Sequence, residues 1–232
     1  MLPFMALPGR IAVCLVATIL LHGLVLRPSW KAMRGTRRAL IESEPQIAPV
    51  QVQIYLESLC IDSKRYVLDQ LVPAYQIIAP IIDLEIVSFG NAEIVNGTQV
   101  ICQHGEAECD ANLYQECASA LFPSSLYISF YACLFDQLPM GHSDERFGRS
   151  VFRECAWKAR MDPDPIQECH DHHAWWALSK AAAATPPHKG VPWVVLNGLH
   201  VDESQDLVAQ VCNLYQQAGG HFDGCASRRV FV

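Results

Sequence analysis

Across residues 49–55 apolar and polar side chains alternate: Val52 and Ile54, with Leu56 just beyond, are set against Gln51, Gln53 and Tyr55. A period of two predicts a short β-strand. From Ser63 the period lengthens, with Tyr66, Val67, Leu71 and Ala74 at helical spacing. Residues 57–60 therefore make the turn, and Cys60 stands at or just before a helix N-terminus. A second apolar run over 81–89 is closed by Gly90-Asn91, and strand, helix, strand in this order predicts a parallel pair with a right-handed crossover. Between residues 102 and 184 the pattern is helical, with candidate helices over 113–121, 126–134, 147–158 and 166–184. Pro186-Pro187 ends that region. Residues 191–196 read as a third strand, Asn197-Gly198 as a hairpin turn, 199–201 as its return and 203–217 as a closing helix. The expected fold is α/β, with a helical insertion at about 102–184 between the second strand and the strand that carries Pro192.

Ahead of this domain, residues 11–26 form an apolar run between Arg10 and Arg27. It is shorter than the ~20 residues of a membrane span and suits the core of a signal peptide. Lys31, Arg34, Arg37 and Arg38 follow it with no clear small-x-small cleavage site, which keeps a short signal anchor as the alternative. The expected organisation is a signal segment over 1–27, a basic linker over 28–48, one domain over 49–225 and a tail over 226–232. A chain of 232 residues, 51% hydrophobic, has room for one such core.

Six basic and no acidic side chains fall in residues 1–38; removing 6 from the 17 Lys and Arg leaves 11 against 24 Asp and Glu in the remainder. An acidic domain repels phosphate backbones and anionic lipid, which excludes nucleic acid as a partner. Membrane contact is expected only through an uncleaved N-terminal segment.

Ten cysteines point to an oxidising compartment. Cys14 lies in the apolar run. The other nine are Cys60, Cys102, Cys109, Cys117, Cys133, Cys155, Cys169, Cys212 and Cys225, an odd number, so pairing leaves one over. Eight thiols allow about a hundred pairings; Cys212 with Cys225 is the preferred local one. Asn96-Gly97-Thr98 is an N-glycosylation triplet in an exposed-turn context, consistent with secretion.

Cys60 is the candidate for chemistry. A thiol at a helix N-terminus meets the positive end of the backbone dipole, which favours the thiolate, and Lys64 and Arg65 push the same way while Asp62 opposes them. The plain alternative is that Cys60 is one more staple. A dithiol reductase needs a second cysteine to attack the mixed disulfide, and Ser63 occupies that place. Its hydroxyl can hydrogen-bond a thiolate but cannot resolve a mixed disulfide, so release falls to a small thiol such as glutathione or cysteine, or to the substrate itself. No cofactor is needed.

The run Cys169-His170-Asp171-His172-His173 has zinc-binding residue types, but adjacent histidines diverge on a helix and no second ligand cluster lies at finger-like distance. Trp175, Trp176 and Trp193 read as packing aromatics.

Residues 102–117, CQHGEAECDANLYQEC, match the pattern C-Q-H-G-x-x-E-C-x-x-N-x-x-x-x-C at every fixed position. In this the chain resembles the gamma-interferon-inducible lysosomal thiol reductase family. The similarity extends to Glu57-Ser58-Leu59-Cys60, Gly90-Asn91-Ala92, Pro186-Pro187-His188, Val191-Pro192-Trp193-Val194, Asn197-Gly198 and Val211-Cys212-Asn213-Leu214-Tyr215, over roughly residues 50–225. The resemblance implies a thioredoxin-like fold with a helical insertion, and an enzyme that reduces protein disulfides in lysosomes, in vacuoles or outside the cell. It further implies Cys60 as nucleophile and Pro192 as a cis-proline beside it. The departure is Ser63 where the family has its second cysteine, which leaves a client-binding or substrate-trapping relative without turnover as the alternative. His104 lies inside the signature and reads as a turn-stabilising histidine, outside the catalytic set.

Overall fold

A computed structural model describes residues 47–226. The expected signal segment, most of the basic linker and nearly all of the tail lie outside the described residues. Strand β1 (Val50–Leu56) is central, because Val52, Ile54 and Leu56 are fully buried on one face and Tyr55 is buried on the other. It is followed by a helical run made of α1 (Ile61–Arg65), a π-helical stretch (Tyr66–Leu71) and α2 (Val72–Ile78). Pro73 has no N–H to offer Asp69, so the hydrogen-bond register changes just ahead of it. Strand β2 (Ile82–Ser88) then pairs with β1 in parallel, Val50 opposite Ile82 and Leu56 opposite Ser88.

A hairpin of β3 (Glu93–Val95) and β4 (Gln99–Ile101) comes next, an element the sequence pattern did not predict. Its turn holds Asn96 and Gly97 at positive φ with Asn96 exposed. The insertion continues with α3 (Glu106–Leu121), α4 (Ser124–Gln137), α5 (Arg149–Lys158), α6 (Pro163–His172) and α7 (Ala174–Ala184). The single helix expected over 166–184 is thus two, since His173 leaves helical geometry at φ −127°, ψ 20°. Strands β5 (Trp193–Leu196) and β6 (Leu199–Val201) complete a four-stranded sheet ordered β2-β1-β5-β6, with β5 antiparallel to both neighbours. Helices α8 (Leu207–Gln217) and α9 (Asp223–Ala226) close the chain. Helix α8 starts later than the pattern predicted because Asp206 accepts from the Ala209 N–H as its N-cap.

Four disulfides join Cys102 to Cys109, Cys117 to Cys169, Cys133 to Cys155 and Cys212 to Cys225. The second ties α3 to α6 and the third α4 to α5, so the helices of the insertion are stapled in pairs. Cys60 is the free cysteine of the described residues. Among those residues no helix is long and apolar enough to cross a membrane.

Trp175 and Trp176 depart from the expectation of packing aromatics, whereas Trp193 packs against a buried cluster. Helix α7 buries Ala177, Leu178 and Ala181, leaving Trp175 and Trp176 47% and 53% exposed. Trp193 is half-buried and stacks on His200 with ring centroids 3.5 Å apart.

Candidate active site

The sheet's register assembles the site. Because Leu56 sits opposite Ser88, and Tyr55 opposite Trp193, three segments emerge side by side at the C-terminal end of β1: the turn after β1, the turn after β2, and the residues leading into β5. Cys60 is the N-cap residue of α1, half-buried, with extended φ and ψ. The Val191–Pro192 peptide is cis. It brings the Val191 carbonyl oxygen to 3.9 Å from Cys60 Sγ, within reach of a thiol hydrogen bond.

Each backbone group that could loosen the turn is tied down. Glu57 N–H donates to Ser63 Oγ at 3.3 Å, Ser58 N–H donates to Asn112 Oδ1 at 2.9 Å, Gly141 N–H donates to the Leu59 carbonyl at 2.9 Å, and Cys60 N–H donates to the Glu57 carbonyl at 3.3 Å. Ser58 Oγ also donates to the Glu108 carbonyl. Ser63 is fully buried, and the hydrogen bond recorded for its hydroxyl joins it to the Glu57 backbone rather than to the Cys60 sulfur.

The residues of the 102–117 pattern meet at this turn. Asn112 holds Ser58. Gln103 Oε1 accepts from Asn91 Nδ2 at 2.7 Å, and Asn91 N–H donates to Glu57 Oε1. Gly105 caps α3 at φ +90°, where a Cβ would strike the Ser143 carbonyl, so glycine is required there. Gly90, at φ +55°, is required for a second reason, since a Cβ would occupy the space of the Glu57 side chain. Cys102, Cys109 and Cys117 are in disulfides.

The remaining two residues of the pattern form a cluster that sequence reasoning missed. His104 Nδ1 lies 2.6 Å from Glu108 Oε2 and 3.5 Å from Glu57 Oε2. Both carboxyls are fully buried. Burial and the neighbouring Glu108 carboxylate push the Glu57 carboxyl up to about 7. The three atoms lie within 4.8 Å of one another, a spacing a small cation could bridge, and the 2.6 Å contact between His104 and Glu108 is that of a hydrogen bond. The signal that could have found this cluster is the recurrence of Glu57 and His104 in separate matched segments, read as a pair. His188, from the Pro186-Pro187-His188 segment, extends the network through Asn91 Oδ1 at 3.1 Å.

The zinc-like run resolves otherwise. Cys169 is spent in a disulfide, and His170 bonds Asp110 at 2.9 Å and Asp171 at 3.0 Å. These two contacts hold its ring above the ordinary imidazole range despite burial. A cavity of about 630 Å³ beside α3 and α7, lined in part by His170, Asp171, Arg149 and Trp175, lies apart from Cys60.

Residues 51–159 match the family model described as gamma interferon inducible lysosomal thiol reductase (GILT). A gamma-interferon-inducible lysosomal thiol reductase of Carassius auratus is 33% identical over 178 residues, 73% of this chain and 70% of that protein. A gamma-interferon-responsive lysosomal thiol protein of Arabidopsis thaliana is 34% identical over 179 residues, 72% of this chain and 71% of that one. In fold, the chain is similar to reduced DsbA from Mycobacterium tuberculosis, with a TM-score of 0.57 at 14% identity over 77% of this chain and 86% of that structure. With a thioredoxin-like sheet, a stapled helical insertion and the full 102–117 pattern folded against a lone thiol, the chain belongs to the gamma-interferon-inducible lysosomal thiol reductase family.

Proposed function

We propose that the chain is a thiol-disulfide oxidoreductase acting on disulfide-bonded proteins, with Cys60 as a lone nucleophile. The observation that carries this reading is a free, half-buried thiol at a helix start, 3.9 Å from the carbonyl that precedes cis-Pro192, in a domain whose other described cysteines are all paired. The Cys60 thiolate attacks one sulfur of the substrate disulfide; the other leaves as a thiolate and takes a proton. The resulting mixed disulfide has no neighbouring thiol to open it, because Ser63 offers only a buried hydroxyl. An outside thiol such as glutathione or cysteine attacks it, and a second equivalent returns Cys60 to the thiolate, so two small thiols supply the two electrons. Pro192 forms the edge facing the substrate, since it has no N–H of its own to occupy an incoming chain.

We place this activity in a lysosomal, vacuolar or secretory compartment reached through the endoplasmic reticulum. Supporting that placement are the disulfide content, which suits an oxidising route, and the names of the relatives. A second reading, a relative that captures clients without turnover, is favoured by one feature alone, the buried serine in place of a resolving thiol. One assay separates the two. The purified domain is incubated with a disulfide-bonded protein at mildly acidic and neutral pH, with and without glutathione, and compared with Cys60→Ala. Turnover that requires both Cys60 and glutathione supports the enzyme, a mixed disulfide that glutathione does not release supports capture, and equal behaviour of the two proteins refutes both. Ser63→Cys is expected to lower the demand for glutathione.

A further inference from the structure

Two buried carboxyls and one imidazole meet beneath the Cys60 turn, and the hydrogen-bond inventory around them does not close with both carboxyls ionised. Glu108 is satisfied: Oε1 accepts from the His104 N–H at 3.0 Å, and Oε2 lies 2.6 Å from His104 Nδ1. Glu57 is half satisfied. Its Oε1 accepts from the Asn91 N–H, while Oε2 is buried with no hydrogen-bond partner and His104 Nδ1 3.5 Å away. One ring proton therefore faces two carboxylate oxygens and bonds the nearer. A bare anionic oxygen in the interior is costly, and a proton on the group removes the cost. The route for that proton is at hand, because the His104 side chain is 22% exposed whereas both carboxylates are fully covered.

The same residue carries the geometry of the site. The Glu57 carbonyl receives the Cys60 N–H and its own N–H binds Ser63 Oγ, so the backbone of one residue holds both members of the C-x-x-S turn. Its side chain fixes that backbone from the other end through the Asn91 N–H after β2, and lies 3.5 Å from His104 just ahead of α3. The space it fills is kept open by Gly90. The groups facing Glu57 are thus His104 and Glu108 from the α3 side, Asn91 from the turn after β2, and Cys60 and Ser63 from its own turn; His188 joins only on the far side of Asn91.

We propose that Glu57 is the positioning residue of the Cys60 turn, anchored by its bond to the Asn91 N–H and by carrying a proton of its own beside the Glu108 carboxylate. The proposal rests on Cys60 being the reactive thiol. Burial and the neighbouring Glu108 carboxylate push the Glu57 carboxyl up to about 7, so its proton is lost close to neutrality. Gaining that second negative charge loosens the turn, so Cys60 reactivity carries an inflection that belongs to the cluster and not to the thiol.

The test is the rate of Cys60 alkylation by iodoacetamide from pH 4 to 9, located by peptide mapping, in the wild-type protein, Glu57→Gln and Glu57→Ala. The wild-type profile is expected to show a second inflection near pH 7. Glu57→Gln, which imitates the protonated side chain, is expected to lose that inflection and stay within about threefold of wild type at pH 5, whereas Glu57→Ala falls by about tenfold or more at every pH. Parallel profiles for wild type and Glu57→Gln would overturn the proposal. So would an inflection that disappears with a chelator or returns with added zinc, which would assign the cluster to a cation. Should Glu57→Gln not fold, the imidazole 15N shifts of His104 in the unaltered protein give the same reading. They are expected to sense the loss of the Glu57 proton as an inflection near pH 7, and shifts without one there would overturn the proposal. Failure here is distinct from failure of the enzyme reading, in which Cys60 itself would not alkylate in the wild type.

Discussion

The two halves of the domain are held by different means. The insertion is stapled, with α3 bonded to α6 through Cys117–Cys169 and α4 to α5 through Cys133–Cys155. The sheet and its first helical run carry no cross-link. There β1 is held by its parallel partner β2, its antiparallel partner β5 and a fully apolar inner face, and the turn bearing Cys60 is held by hydrogen bonds alone. The division has a chemical reason. Precision at the turn that bears the free thiol comes from hydrogen bonds, which no thiol chemistry can open.

The largest effect that would break this comparison is removal of a staple. Cys117→Ser with Cys169→Ser is expected to cost roughly 2–5 kcal/mol in denaturant unfolding. Under folding conditions it should leave the Cys60 alkylation rate within a small factor of wild type. A large loss of thiol reactivity in the still-folded protein would mean that the staples set the site and the halves are not separable.

A smaller effect is expected from Asn112→Ala, the side-chain bolt that runs from α3 to the Ser58 N–H. It strands the buried Ser58 N–H, for a cost of about 1–3 kcal/mol. Unlike the staple variant, it should alter Cys60 reactivity in the folded state. Unchanged reactivity would show that the remaining bonds suffice.

The broadest and most gradual effect is the pH dependence of stability, to which each half contributes a buried acid pushed above the ordinary carboxyl range. Glu57 lies under the turn, and Glu116 on α3 accepts the Ser88 N–H; burial foremost pushes each from 4.5 to about 7. The folded chain then binds more protons than the unfolded chain between roughly pH 4.5 and 7, so stability is full below that window and declines as pH rises through it. Denaturant midpoints that rise from pH 4.5 to 7, or that stay flat, would contradict both assignments. The expected direction suits an acidic compartment.

Much of this arrangement was legible in the chain. Alternation over 49–55, the apolar run over 81–89 and the Asn197-Gly198 turn gave three strands and a hairpin, because period and turn chemistry are local signals. The odd cysteine count singled out a free thiol, and helical spacing after Ser63 put Cys60 at a helix start. What stayed hidden depends on contacts between distant segments. The β3–β4 hairpin is too short and too exposed to show a period. The break at His173 falls inside helical spacing that continues on both sides, with Ile166 and Cys169 buried before it and Ala177 and Leu178 after it. His104 looked like a turn residue because its neighbour Glu57 belongs to another segment, and the two meet only where the start of α3 is bonded to the turn after β1.

The central claim, a lone nucleophile that needs outside help to release its substrate, is tested most directly by intact-mass analysis and peptide mapping. The protein is mixed with a disulfide-bonded partner in the absence of small thiols. The account predicts a one-to-one covalent adduct through Cys60 that persists until glutathione is added and then disappears with reduced partner in solution. An adduct on any other cysteine, or release from Cys60 with no thiol added, would contradict it.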